Sequence, residues 1–434
     1  MPNIDADTHL IETADIWDHL DAADRIHRPQ PIELEQGVMV PPIARPMKSV
    51  WVIDGQLYAR TNLQMIEEFS KGQIKPGALA MTDPDERLKA MDQQGVDVHV
   101  IFPSLFLGLA PETPAVERAL TRAYNRFLAD RCAGSKGRLR WVMLPALKSM
   151  DETLREIEWA AKHGAAGIHL RGLEGDRPID HPDFFPIYRV AQDLDLPVCV
   201  HIGHASPAYR QVRRNADNRA TRFHMVVPTL LSFNALATGE VARAFPRLRF
   251  GFFEAGSAWL PYLVQSANKV RDDRDRKAFT AQVLRDYRLY VTCEEHEELP
   301  LILQYAGDDN LVIGSDYGHP GDVDESIFVQ QKLRARTGSL LHTLNAQMST
   351  TTDVPRYDRL SEYARDTLGN YIPAQSEWYY GPQKRMLVSY GLEAERSSGV
   401  FNRARLTPSF QWIEQSRHSR GFGSSRLGHR TEQV

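Results

Sequence analysis

Cysteine is scarce: Cys132, Cys199 and Cys293 are the only three in 434 residues. Three scattered thiols exclude a disulfide framework and a thiolate zinc site, so a metal here has to be held by histidine and carboxylate ligands. Nor is there an excess of one charge, with 52 Lys+Arg set against 56 Asp+Glu and a formal net charge of -4. Without a basic field, nucleic acid is a poor partner. No apolar run approaches the roughly 18 residues needed to cross a bilayer, and the opening Met1-Pro-Asn-Ile-Asp-Ala-Asp shows no export-signal pattern. The expectation is a soluble, cytoplasmic protein with no membrane partner. What remains is an ordinary globular composition, 42% hydrophobic and 25% charged, able to bury a sizeable core.

Within that composition, capped amphipathic helices alternate with short β-rich runs, the mark of repeated βα units around a parallel sheet. Asp83-Pro84-Asp85-Glu86 shows it most clearly. Asp83 can cap, Pro84 suits the first helical position, Glu86 completes a capping box, and Gly95 ends the helix. The pattern predicts further helices over 114–133, 151–164 and 184–194. It predicts eight strands, over 3–9, 96–103, 140–145, 166–171, 196–201, 248–254, 288–294 and 311–316. Eight strands with helix-sized spacers predict an α/β fold, the (β/α)8 TIM barrel, over residues 1–370. The Pro- and Gly-rich stretch from about 26 to 80 is too long for a βα connection and reads as an insertion. Residues 371–434 read as a C-terminal extension in which Trp378 to Pro382 pack and the last twenty are mobile.

The chemistry-bearing residues fall at the predicted C-terminal strand ends, where barrel active sites form. Asp7 and His9 end the first strand and share one parity. His201 and His204 follow the fifth strand, Glu254 the sixth, Glu294 and His296 the seventh, and Asp316 the eighth. A lone strand-end histidine is ordinarily a satisfied or exposed side chain, and a lone aspartate a helix cap. Convergence from five strands favours a metal centre, led by His9, His201 and Asp316, with Asp7 and Glu254 next. His204, Glu294 and His296 stay open between ligating and orienting a ligand. His169 lies inward on the fourth strand, Arg171 suits either a substrate anion or an acidic partner, and His319, past the strand end, stays open between the site and a loop. Phe102, Phe106, Phe252 and Trp259 are candidates for an apolar substrate pocket, although such aromatics more often fill a core.

Asp-x-His on strand one, His on strand five and Ser-Asp-Tyr-x-His on strand eight resemble the amidohydrolase-related barrels that include aminocarboxymuconate semialdehyde decarboxylase. The resemblance covers about residues 3–330. Those decarboxylases carry a His acid/base after strand six, where this chain has Glu254-Ala255-Gly256, and their binuclear relatives use a strand-four Lys that is absent here. The carboxylate-rich ligand set is similar to a further branch, non-haem diiron monooxygenases such as one from platensimycin and platencin diterpenoid biosynthesis.

That second resemblance implies two iron ions per chain and dioxygen and an electron donor as co-reactants. It further implies hydroxylation of an apolar small molecule in secondary metabolism, carried as an acyl-coenzyme A thioester. The basic C-terminal arm, with Arg403, Arg405, Arg417, Arg420, Arg426 and Arg430 among Phe401, Phe410 and Trp412, would then meet the coenzyme phosphates; otherwise it is a solvated tail. The alternative expectation is a mononuclear hydrolase or decarboxylase of a small carboxylic acid, with one zinc or manganese ion and Asp316 or Glu254 as base. Nothing in the sequence sets the oligomeric state, and a homo-oligomer stays open.

Overall fold

A computed structural model describes residues 2–39, 46–60, 74–209, 221–269, 281–294, 297–307, 309–319, 331–337, 340–350, 354–355, 363–365, 371–373, 375–381, 384–395, 403–421 and 427–433. The chain divides into two compact units, 1–323 and 324–434.

In the first unit eight parallel strands pair in chain order. They are β1 (Ile4–His9), β2 (Val98–Phe102), β3 (Leu139–Met143), β4 (Ala165–Arg171), β5 (Val198–His201), β6 (Phe250–Phe253), β7 (Leu289–Cys293) and β8 (Leu311–Ile313). The barrel closes just beyond β8, where the His9 N–H donates to the Tyr317 carbonyl (2.7 Å) and the Asp316 N–H to the Asp7 carbonyl (3.0 Å). Around the sheet lie α1 (Pro84–Gln94), α2 (Pro114–Ala133), α3 (Met150–Lys162), α4 (Phe185–Asp193), α5 (Thr221–Thr238), α6 (Leu260–Lys269) and α7 (Leu299–Ala306). This is the TIM barrel that the alternation predicts.

Strand alternation sorts the side chains into two cores. On β6, Phe250 and Phe252 face the helices, where they join Tyr188 and Phe233. Phe253 turns inward to meet Phe102, Val142 and Cys199 inside the barrel. Side chains packed on both faces make these strands short continuous apolar runs rather than alternating ones.

Five of the eight strands stop one to three residues before the predicted ends at the mouth, and at β6 and β8 the reason is conformational. Glu254 (φ 56°) and Asp316 (φ 54°) adopt the left-handed region, which no strand tolerates. Part of the expected insertion is an antiparallel sheet of Gln30–Met39, Pro46–Ile53 and Gln56–Ala59. Its Asp54-Gly55 turn, with both residues at positive φ, is the favoured two-residue hairpin geometry. The Asp54 carboxylate also accepts the Glu112 and Thr113 N–H groups (both 2.7 Å), tying this sheet to the start of α2.

The second unit is an antiparallel sheet ordered 331–337, 340–350, 384–395, 409–421, 375–380 and 354–355. Gly428–Gln433, within the last twenty residues, pairs with Ser409–Gly421 from Glu414↔Gln433 to Ser419↔Gly428. Arg426 and Phe401 lie outside the described residues. Among the described residues no helix is long and apolar enough to cross a membrane.

The Asp83 cap forms as read, its carboxylate accepting the Asp85 (3.1 Å) and Glu86 (3.2 Å) N–H groups, with Gly95 left-handed at the other end. Asp83→Ala should therefore cost about 1 kcal/mol in chemical denaturation. An unchanged midpoint would mean that Pro84 alone starts the helix.

Candidate metal centre

β1 delivers Asp7 and His9 to the mouth, both buried. The His9 Nδ1 lies 2.9 Å from the Pro103 carbonyl, which can only accept, so the ring proton sits there and Nε2 faces the centre. Around that Nε2 stand Asp316 Oδ1 at 3.4 Å, Asp7 Oδ1 at 3.5 Å and Glu254 Oε2 at 3.6 Å. His201, at the end of β5, repeats the arrangement. Its Nδ1 meets the Ile202 carbonyl (3.2 Å), and its Nε2 lies 3.3 Å from Asp7 Oδ1 and 3.4 Å from Glu254 Oε2. Two imidazole nitrogens and three carboxylates thus converge on one small space.

Burial and mutual repulsion split the acids. Burial first, and then Asp316, push the Glu254 carboxyl up to about 8. Burial pushes Asp7 upward too, but His201 and His9 outweigh it and hold its carboxyl well below the usual range. His9 is raised above its ordinary value because Asp7 and Asp316 overcome its desolvation. With no ion bound, Glu254 therefore favours its neutral form beside an Asp7 that favours its ionised form, a separation typical of acid/base sites. The left-handed backbone at Glu254 and Asp316 is local strain of the kind concentrated at such sites.

His319, open in the sequence between site and loop, lies against the cluster. Its ring stacks on His9 (centroids 3.8 Å apart), Nδ1 lies 2.8 Å from Asp316 Oδ1, and Nε2 lies 3.0 Å from Ser104 Oγ. Gly318 makes this possible: φ is 116°, and a Cβ there would press on Leu79 Cδ1 (2.7 Å) and the His9 carbonyl (3.0 Å). The only signal in the sequence was the three-residue spacing from Asp316. Glu12 was missed. Buried and pushed up to about 7 by desolvation, it accepts the Ser104 (3.1 Å) and Leu105 (2.8 Å) N–H groups and so fixes the loop that meets His319.

Other expected residues stand elsewhere. His204 packs edge-on against Tyr209 rather than joining the cluster. At the end of β7, the Glu294 backbone N–H donates to Glu297 (2.9 Å), and no described metal-ligating group includes the Glu294 carboxylate. His296 lies outside the described residues. Arg171 does not present itself to a substrate anion: it is clamped on Glu174 through Nε (3.0 Å) and Nη2 (2.7 Å) and on the Phe106 and Leu109 carbonyls through Nη1. Phe252 belongs to the outer core, and Trp259 packs against the same core on Phe233 (4.8 Å) while donating to the Ala255 carbonyl. The aromatics that do face His201 are Phe102, at 5.0 Å between centroids, and behind it Phe253. His169 is buried near His201, and burial, then the charges of His201 and Arg171, keeps it neutral.

Does this donor set fit a metal ion? The buried His9 Nε2, Glu254 Oε2 and Asp316 Oδ2 have no hydrogen-bond partner, while Asp316 Oδ1 meets the His319 ring. Unpartnered buried acceptors cost free energy unless something electropositive meets them. Two groups, Asp7–His9–His201 and His9–Glu254–Asp316–His319, each bring their ligand atoms within 4.8 Å of one another and share His9. Mixed nitrogen and oxygen donors suit a divalent cation such as manganese, iron or zinc.

A family model described as amidohydrolase matches residues 4–323. Similar solved structures include an amidohydrolase from Mycobacterium avium subsp. paratuberculosis K-10, at 16% identity and a TM-score of 0.54, with 74% of this chain and 89% of that one covered. Another is 5-carboxyvanillate decarboxylase from Sphingomonas paucimobilis, at 18% identity and a TM-score of 0.50, covering 74% and 90%. These likenesses are of fold. Together with the family match they correct the expectation of a diiron monooxygenase, because amidohydrolases and a decarboxylase stand where an oxygenase was expected. The two irons, dioxygen, electron donor and coenzyme A thioester fall with that reading.

Below the centre, His99 is buried beside Arg87, and desolvation, then the Arg87 charge, pushes its pKa down to about 2. Above pH 6.5 the ring is neutral folded and unfolded. As pH falls below 6.5 the unfolded chain gains a proton that the folded chain refuses, so stability is lost by up to about 1.4 kcal/mol per pH unit. His99→Gln removes this term. Its stability deficit against the parent should shrink by about 2 kcal/mol between pH 7 and pH 5 in urea titrations. A deficit that stays constant would show that folded His99 takes the proton.

Proposed function

The chain belongs to the amidohydrolase family, and on that premise we propose that it is a metal-dependent decarboxylase of a small carboxylic acid. The observation that carries this reading is a cluster of buried acceptors that includes an acid reluctant to ionise: His9 Nε2 and Glu254 Oε2 make no hydrogen bond, and burial, then Asp316, pushes the Glu254 carboxyl up to about 8. Asp7, His9, His201 and Asp316 would hold one divalent ion. When bound, that ion supplies the positive charge that polarises a substrate oxygen and anchors a carboxylate.

The rest of the chemistry falls to the chain. Loss of carbon dioxide leaves an electron pair on the substrate carbon, and that carbon needs a proton. Glu254, kept neutral by burial and by Asp316, is the donor, standing where the resembling decarboxylases place a histidine. Its proton is replaced from the mouth, where His319, 3.7 Å from Glu254 Oε2 and 22% exposed at the side chain, links the site to solvent. Phe102 and Phe253 form an apolar floor that keeps water from below. A hydrolase is the second reading, and the short Asp316–His319 contact (2.8 Å) favours it, since that pair can take a proton from attacking water. The oligomeric state stays open on either reading.

Metal analysis of protein purified without added metal, followed by a carbon dioxide-release screen over small carboxylic acids with manganese, zinc or iron restored, tests the reading. One ion per chain and release of carbon dioxide are expected; a fully active metal-free protein would sink it.

Two variants separate the roles. His201→Ala should lose metal and activity while the barrel stays folded by circular dichroism, because the ring sits at a strand end above the packed core. Full metal content in that variant would remove His201 from the ligands. Glu254→Gln preserves shape and neutrality but has no proton to give, so kcat should fall about 10²- to 10⁴-fold with metal content intact. Loss of metal in Glu254→Gln would instead make Glu254 a ligand.

A further inference from the structure

Arg87 projects from α1 into the interior and is 0% exposed, yet no carboxylate pairs with it among the described ion pairs. An isolated buried guanidinium is expensive, so its donors need good acceptors. Nη1 donates to the His9 carbonyl at 2.8 Å, Nη2 to Thr8 Oγ1 at 2.9 Å, and Nε to His99 Nδ1 at 3.2 Å. Its plane lies over the Tyr317 ring, 4.9 Å from the centroid. Thr8 passes its own proton to the Val100 carbonyl (2.8 Å), so its oxygen is free to accept from Arg87.

These partners sit on both sides of the barrel's seam. Thr8 and His9 end β1, Tyr317 follows β8, and Thr8 pairs with Tyr317 where the sheet closes. The same seam brings together the two segments that carry the centre, Asp7-Thr8-His9 and Asp316-Tyr317-Gly318-His319. Just two described backbone bonds join them at this level, His9 to Tyr317 and Asp316 to Asp7. A guanidinium bonded to the His9 peptide and stacked on Tyr317 spans that joint from below, where a lysine could reach one acceptor but not all three.

We infer that Arg87 is a positioning residue of the metal centre: by tying the His9 carbonyl and Thr8 to Tyr317 it sets the gap across which His9 and Asp316 meet an ion. The inference rests on the proposed metal centre and goes beyond it, since Arg87 touches neither the ion nor a substrate. A purely structural arginine would lower stability and leave the affinity of the folded protein for metal unchanged.

Cobalt(II) titration of the full chain, read by visible absorption and by calorimetry, distinguishes the two. Arg87→Lys should bind cobalt(II) about 10- to 100-fold more weakly than the parent, with an altered visible spectrum, as is usual when a partner behind a metal ligand is lost. Arg126→Met is the control: it removes another half-buried arginine, paired with Glu156 (2.6 Å) and lying over Trp159, away from the seam. It should melt earlier yet bind cobalt(II) as the parent does. Should Arg87→Lys not fold, Thr8→Val removes one acceptor alone and should weaken cobalt(II) severalfold. Parent-like affinity and spectrum in Arg87→Lys or, failing that, in Thr8→Val would overturn the inference while leaving the metal centre standing. A parent protein that takes up no cobalt(II) would overturn both.

Discussion

Two buried imidazole nitrogens, His9 Nε2 and His201 Nε2, face carboxylate oxygens 3.3–3.6 Å away. Both rings have their Nδ1 protons committed to carbonyl groups, so each presents a lone pair to atoms that can only accept. Such a set is repulsive unless a proton or a cation lies between. Without an ion the site answers by redistributing protons: His9 is pushed up, Glu254 is pushed up, and Asp7 is held firmly ionised. A divalent ion relieves the same repulsion in one step, and for that reason the arrangement reads as a metal centre rather than as a chance meeting of acids.

The rest of the barrel serves to hold that uncomfortable group together. Its closing joint is short, since β8 ends at Ile313 and the residues that complete the circle are Asp316 and Tyr317. Asp5 reinforces the joint from one side by accepting the Ser315 N–H (2.9 Å) and hydroxyl, and burial pushes its own carboxyl up to about 6. Glu297 does comparable work beyond β6: it accepts the Ser257 and Ala258 N–H groups (both 2.6 Å) and pins the turn that leaves Glu254 in its left-handed conformation. Strain at Glu254 and Asp316 persists because these carboxylates over-determine the turns around them.

Much of this was legible in the sequence because its signals are local. Caps such as Asp83 and Gly95 and apolar runs such as Val98–Phe102 depend on neighbours a few residues away, so the βα order and the eight strands could be read directly. The parity of Asp7 and His9 and the positions of His201, Glu254 and Asp316 at strand ends followed from the same period. What could not be read depends on which way a side chain turns once the strand has ended. Arg171 shares the inward parity of His169, yet an acid three residues later captures it. Phe252 differs from Phe253 only in parity, and that sends one to the helices and the other to the site floor. His319 needed a glycine at φ 116° to fold back over His9, a distance in space that no periodicity encodes.

The functional misreading has a physical origin of the same kind. A count of ligand-type residues treats every carboxylate near the mouth as a metal ligand, and by that count the site looks large enough for two ions. Burial gives the carboxylates different tasks. Asp7 is held ionised between two imidazoles and suits a cation, whereas Glu254 is kept protonated by burial and its neighbour Asp316. Composition cannot distinguish a carboxylate from a carboxylic acid, because the difference lies in how much water and which charges surround each one. On the proposed reading, with Glu254 counted as an acid, the remaining donors, Asp7, His9, His201 and Asp316, would make the complement of one ion, and Glu254 would supply the proton that the missing histidine after strand six cannot.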